Sequence, residues 1–167
     1  MADKETTMSV LTDYLKTEAG HIRDESARLK AAKLDWQRAA QELVHRMAEW
    51  LSQSDPDRLL QVKQTDHVFE DYDVGRHVIK GLSITLGRGT VRITPSPLEI
   101  VGVIQVPGES TRRRIDGRFE FGNGTDRIPL YRVKDGDRDV WLWWTQGGVG
   151  KPFDRESFEA TVVSLLR

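Results

Sequence analysis

The chain has 167 residues, with 25 Lys plus Arg against 26 Asp plus Glu and a formal net charge of -1. This balance excludes a strongly basic nucleic-acid coat and an acidic tail protein, and 38% hydrophobic residues are too many for a disordered chain. The absence of cysteine removes disulfide scaffolds, thiolate metal sites and a cysteine nucleophile together.

The first seven residues, Met1 to Thr7, are polar and mixed in charge, unlike the apolar stretch of a secretory signal. The longest apolar run, Val140 to Trp144, is far short of the ~20 residues that span a bilayer. The expectation is a cytoplasmic protein of one folded body, read as a helical arm over 1–56 and an antiparallel β domain with a C-terminal helix over 57–167. Composition marks the division: one glycine and no proline precede Ser54, while thirteen glycines and all six prolines follow it.

Met8, Leu15, Ile22, Leu29, Trp36, Leu43 and Trp50 recur at intervals of seven, which predicts a long amphipathic helix. The position three residues further on is filled by Leu11, Glu18, Glu25, Ala32, Ala39 and Arg46, so the seam is half-made in the first half of the arm. In the second half Leu34, Ala40, Val44, Met47 and Leu51 widen the stripe, as on a helix lying against a core. Gly20 leaves two readings, a continuous helix and a helical hairpin; the heptad crosses it without a change of phase, which favours continuity at a local cost of ~1 kcal/mol. Asp55-Pro56 predicts a short linking helix through Leu59 and Leu60.

From about Val68 the pattern has period two. Leu82, Ile84 and Leu86 alternate up to a Gly87-Arg88-Gly89 turn into Val91 and Ile93. Leu98 to Val106 reads as a strand ended by Pro107-Gly108. Ile115, Phe119 and Phe121 read as one face of the next strand, and Asp135-Gly136 joins Leu130–Val133 to Val140–Trp144 as a hairpin. Connections this short make an antiparallel meander of about six strands. A final helix from Arg155 has Asp154 as N-cap and a Phe153–Phe158 staple. The expected fold class is therefore α+β.

Motifs for chemistry fail on their own requirements. Gly147-Gly148-Val149-Gly150-Lys151 has Thr145 where a phosphate loop needs its first glycine and Pro152 where it needs a hydroxyl. Asp135, Asp137 and Asp139 lack the glycine and closing glutamate of a calcium loop. Asn123-Gly124-Thr125 fits a glycosylation sequon but reads as a turn. There is no Gly-x-Ser-x-Gly elbow. Asp66-His67, Glu70-Asp71, Asp73 and His77 are the densest collection of acid/base and hard-metal groups, although no spacing matches a ligand pattern.

Beyond Pro56 there are 13 Arg to 4 Lys, and the run Arg112-Arg113-Arg114 with Arg118 precedes Trp141-Leu142-Trp143-Trp144. Arginine suits bidentate anion contacts and stacking on aromatic rings. The expected function is a non-enzymatic protein–protein interaction module that self-associates or docks a partner through its N-terminal helix. Its expected contact residues are Met8, Leu15, Ile22, Leu29, Arg112, Arg114, Arg118, Trp141 and Trp143, with no cofactor and no metal. Two alternatives stand beside it: a metal-dependent enzyme or enzyme subunit acting on a phosphorylated or nucleic-acid substrate through the Asp66–His77 stretch with Arg112 to Arg118, and a nucleic-acid-binding module using the arginine and tryptophan surface.

Overall fold

The computed structural model describes residues 9–98 and 102–167. Helix α1, Val10–Ser54, is unbroken over 45 residues, close to 70 Å at 1.5 Å per residue. The Ser9 hydroxyl accepts from the Thr12 N–H and caps its start. Gly20 lies inside it: the Leu, Ala, Lys and Glu residues on both sides favour helix, and one glycine costs too little to break it.

The strands are β1 Gln61–Asp71, β2 Gly75–Leu86, β3 Gly89–Pro95, β4 Val103–Gln105, β5 Arg112–Arg114, β6 Arg118–Gly122, β7 Arg127–Asp135, β8 Arg138–Trp144 and β9 Gly150–Pro152, followed by helix α2, Arg155–Leu166. Seven of them form an antiparallel sheet in the order β1-β2-β3-β6-β7-β8-β9, and β4 and β5 form a separate two-stranded sheet. The class is α+β, with more strands than the six expected because β1 begins at Gln61 and a short β9 closes the edge. Val103–Gln105 falls in the apolar run expected from Leu98 to Val106; residues 99–101 of that run lie outside the described residues.

Two expectations are corrected. No linking helix follows Asp55, because its carboxylate accepts from the N–H groups of Leu59 and Leu60 and turns the chain directly into β1. Ile115 does not share a face with Phe119 and Phe121. The chain leaves β5 at Ile115 and enters β6 at Arg118, which places Ile115 with Ile104, Val133 and Leu142 in a small cluster while the phenylalanines enter the main core.

That main core lies between one face of the sheet and two helices. Every buried residue of α1 is at or beyond Trp36: Trp36, Ala39, Ala40, Leu43, Val44, Met47 and Leu51. Leu34, expected on the same stripe, is 46% exposed. The buried residues meet Ile84, Val91, Ile93, Phe119, Phe121, Leu130, Trp141 and Trp143 from the sheet, and Phe158, Val162 and Leu165 from α2. Trp36 packs on Phe119 at 5.5 Å and on Trp141 at 6.0 Å between ring centroids, and Phe121 packs on Trp143 at 4.9 Å. Such pairs add about 1 kcal/mol each beyond area burial. Two of the buried indoles are hydrogen-bonded: Trp36 Nε1 donates to the Ser96 carbonyl at 2.8 Å, and Trp143 Nε1 to the Ser157 hydroxyl at 3.0 Å. Gly117 is needed for this packing, since a Cβ there would stand 2.4 Å from the Trp36 ring.

A polar clasp joins α1 to the sheet. Arg132, 1% exposed, donates to Asp35 at 2.6 Å, to Asp139 at 2.7 Å and to the Asp116 carbonyl at 3.2 Å. Lys134 and Arg38 also pair with Asp35, at 3.0 and 2.8 Å. Burial alone raises the pKa of the Asp35 carboxyl, but hydrogen bonds from Arg132, Arg38 and Lys134 override it and hold the group well below the usual carboxylate range. At the C-terminus, Asp154 and Ser157 form a reciprocal capping box, and Phe153 and Phe158 meet at 6.0 Å as the staple.

Candidate functional site

The N-terminal half of α1 presents its apolar residues to solvent. Leu11 is 64% exposed, Leu15 55%, Ile22 60% and Leu29 42%, with Tyr14 beside them. They lie along one side because residues seven apart fall almost on one line of an α-helix. Met8, the first residue of the expected series, lies outside the described residues.

Among the described residues a β-hairpin reaches the arm. The tip of the β1–β2 hairpin docks Asp73 on Ser26 at 3.1 Å and on Lys33 at 3.4 Å, and Lys33 also pairs with Asp71 at 3.2 Å. Asp71 accepts from the backbone N–H of Val74; that bond, with the Lys33 ammonium beside it, holds the carboxyl below its ordinary pKa. Tyr72 at the tip is fully exposed and faces the arm across an apolar cleft of about 540 Å³ that includes Ile22, Ser26 and Leu29.

The Asp66–His77 stretch is the two arms of this hairpin. Asp66 pairs with Lys80 across the strands, His67 bonds the Thr65 hydroxyl at 2.9 Å, and Asp71 and Asp73 hold Lys33. His77 Nδ1 lies 3.1 Å from the Gly75 carbonyl, with its ring against Phe69. Burial pushes the His67 pKa down. A cavity of about 220 Å³ opens here among Lys33, Trp36, Phe69, Asp71, His77 and Leu98, and none of Arg112, Arg114 and Arg118 lines it. Among the described residues no group of three or more His, Asp or Glu side chains is placed to hold a metal ion.

The arginine and tryptophan residues are divided by the pleat. Trp141 and Trp143, expected as contact residues, are 6% and 5% exposed and belong to the main core. They are corrected to core residues because β8 is covered on both faces: by the helices on their side, and by the Ile104–Ile115 cluster on the side of Leu142. Arg112 and Arg114 are exposed on β5, and Arg113 between them is tied to Glu109 and Asp135.

Arg118 points to the outer face of the sheet. It pairs with Glu120 at 3.3 Å and lies 5.8 Å over the ring of Tyr131, which in turn meets the half-exposed Trp144 at 5.5 Å. Its Nε is buried with no hydrogen-bond partner among the described residues. The strand register places Lys63, Arg92, Arg118 and Arg127 on this face with Glu120, and further along the same alternation lie Asp71, Asp135 and Arg138. Tyr131 and Trp144 are the aromatic residues that sequence reasoning did not assign to contact. The signal was the alternation itself, which puts Trp144 opposite Trp141 and Trp143.

Compared with protein-family models, with curated protein sequences and with solved structures, the chain matches none. Among the described residues no helix is long and apolar enough to cross a membrane.

Proposed function

We propose that the protein is a non-enzymatic interaction module that self-associates through the N-terminal half of α1, with Leu11, Leu15, Ile22 and Leu29 as its contact residues. The observation that carries this reading is one continuous helix whose far half is buried in its own domain while its near half leaves large apolar side chains in water. Isolated helices are marginal in water, and most helical stability comes from packing an apolar face. A second helix on the stripe supplies that packing.

Light scattering on the intact chain and on a chain shortened to begin at Leu29 tests the reading. The intact chain is expected to have twice the mass of one copy and the shortened chain the mass of one. Ile22→Asp in the intact chain is expected to give single copies with the same domain stability. Monomers throughout, with equal thermal stability with and without the arm, overturn it.

A second reading is favoured by one observation, the Arg118 Nε that has no hydrogen-bond partner among the described residues, with its guanidinium over the Tyr131 ring and Lys63, Arg92 and Arg127 on the same face. Guanidinium groups beside exposed rings suit stacked bases and phosphates of a single-stranded nucleic acid. This reading expects quenching of tryptophan fluorescence by an oligonucleotide, weakening steeply with salt and lost in Arg118→Ala with Tyr131→Ala. Salt-independent or absent binding removes it.

A further inference from the structure

We propose that two copies of the chain pair arm to arm in antiparallel orientation about a twofold axis at Ile22, with Leu15 of each copy on Leu29 of the other. The inference rests on the self-association reading above and fixes its geometry and register.

The spacing is self-complementary. Leu15 and Leu29 stand seven residues on either side of Ile22, about 10 Å along the axis in each direction. Reversing the helix about Ile22 therefore lays the stripe on itself, with Ile22 against Ile22 and Leu15 against Leu29 at both ends. This is the isologous contact a twofold dimer requires.

The acidic residues beside the stripe choose between the two orientations. In a parallel pair in register, Glu18 would face Glu18 and Glu25 would face Glu25, two like-charge layers in a seam that needs apolar residues there. In the antiparallel pair the Glu18–Glu18 and Glu25–Glu25 layers are absent: Glu25 lies opposite Ala19, and Glu18 lies opposite Ser26, whose hydroxyl donates to Asp73 of its own copy. Net charge along the arm points the same way. Val10 to His21 carries Asp13 and Glu18 against Lys16, giving -1, whereas Ile22 to Lys30 carries Arg23, Arg28 and Lys30 against Asp24 and Glu25, giving +1. Antiparallel pairing sets each segment against the opposite sign, while parallel pairing sets like against like.

The body of the protein gives a third reason. The hairpin tip reaches the arm at Ser26 and Lys33, and the buried part of α1 begins at Trp36. A parallel pair brings both bodies to the same end of the seam; an antiparallel pair places them at opposite ends. It also carries the first turns of each arm toward the other copy's Tyr72, whose exposed ring borders the apolar cleft beside Leu29.

The chain has no cysteine, so single cysteines report register without background. Leu15→Cys and Leu29→Cys are prepared with different mass tags, mixed and oxidised, and each is also oxidised alone. The expected result is a mixed disulfide between the two variants and little self-linked product from either alone, with Ile22→Cys linking to itself. Self-linkage of Leu15→Cys alone at a yield equal to the mixed product shows a parallel pair and overturns the orientation. A dimer by light scattering with no disulfide joining the Leu15→Cys chain to the Leu29→Cys chain overturns the register and leaves self-association standing. A monomer at every concentration overturns both.

Discussion

The two halves of α1 share one helix, one heptad position and one set of helix-forming residues, yet Trp36 and Leu43 are buried while Leu15 and Ile22 are exposed. The difference lies in the neighbours of the stripe. From Trp36 onward, Ala39 and Ala40 are small enough to bring the helix close to the sheet, and Val44, Met47 and Leu51 broaden the apolar surface to the width a sheet can cover. Before Lys33, Glu18 and Glu25 interrupt that surface and leave a single line of large side chains. The broad stripe packs on its own sheet; the narrow one is left exposed.

This contrast is broken most strongly at Trp36. Trp36→Ala removes the ring at the centre of the helix–sheet aromatic cluster and is expected to cost about 3–5 kcal/mol by denaturant unfolding. Leu15→Ala, at the same heptad position, is expected to change the stability of dilute, single-copy protein by less than about 0.5 kcal/mol. Equal costs at the two positions would show the arm to be folded onto its own domain.

Next in size is the clasp. Asp35→Ala leaves the buried Arg132 without one of its carboxylates, and breaking a buried pair in this way costs about 3 kcal/mol. Adding Arg132→Met together with Asp139→Ala is expected to restore much of the loss, because the apolar set then leaves no buried charge without its counterion. Acid probes the same joint. The folded Asp35 has a depressed pKa against about 3.9 in the unfolded chain, so its stabilisation is complete above about pH 4 and is lost as pH falls toward the folded value. Unfolding midpoints measured against pH are expected to drop below pH 4 in the parent and to fall less in Asp35→Asn. His67 acts earlier: its folded pKa is depressed, so the unfolded state takes up protons first and stability declines gently as pH drops through about 6.5.

The smallest effect sharpens the comparison from the arm's side. A Cβ at Gly20 meets no atom of the described residues within 4 Å. Gly20→Ala is therefore expected to stabilise the arm by about 1 kcal/mol, seen as slower amide exchange over 15–25 with no change around Trp36. Slower exchange in both halves would show that the helix unfolds as one unit.

Much of this molecule was legible locally. The heptad gave the long helix and its path through Gly20, the Asp135-Gly136 and Gly87–Gly89 turns gave the hairpins, and Asp154 with Phe153 gave the last helix. Each depends on contacts within about seven residues, so the periodicity carries the information. The same local reading failed at Asp55, where a side chain that would cap a helix closes a turn, and at Ile115, where the chain changes sheets between two short strands. For the candidate contact surface, the sequence marked Leu15, Ile22 and Leu29 as a stripe, and it put Trp141 and Trp143 on one face of a strand without saying what covered that face.

What the sequence alone determined is the α+β class, the two helices that flank a run of antiparallel strands and the alternation within each strand, because these follow from the 3.6- and 2-residue periods of the backbone. What only the tertiary structure decided is which apolar faces are hidden. The heptad runs with equal regularity from Leu15 to Trp50, and only the sheet's width and the aromatic cluster around Trp36 fix where burial begins. Burial is a property of two surfaces meeting, and the helix sequence specifies one of them.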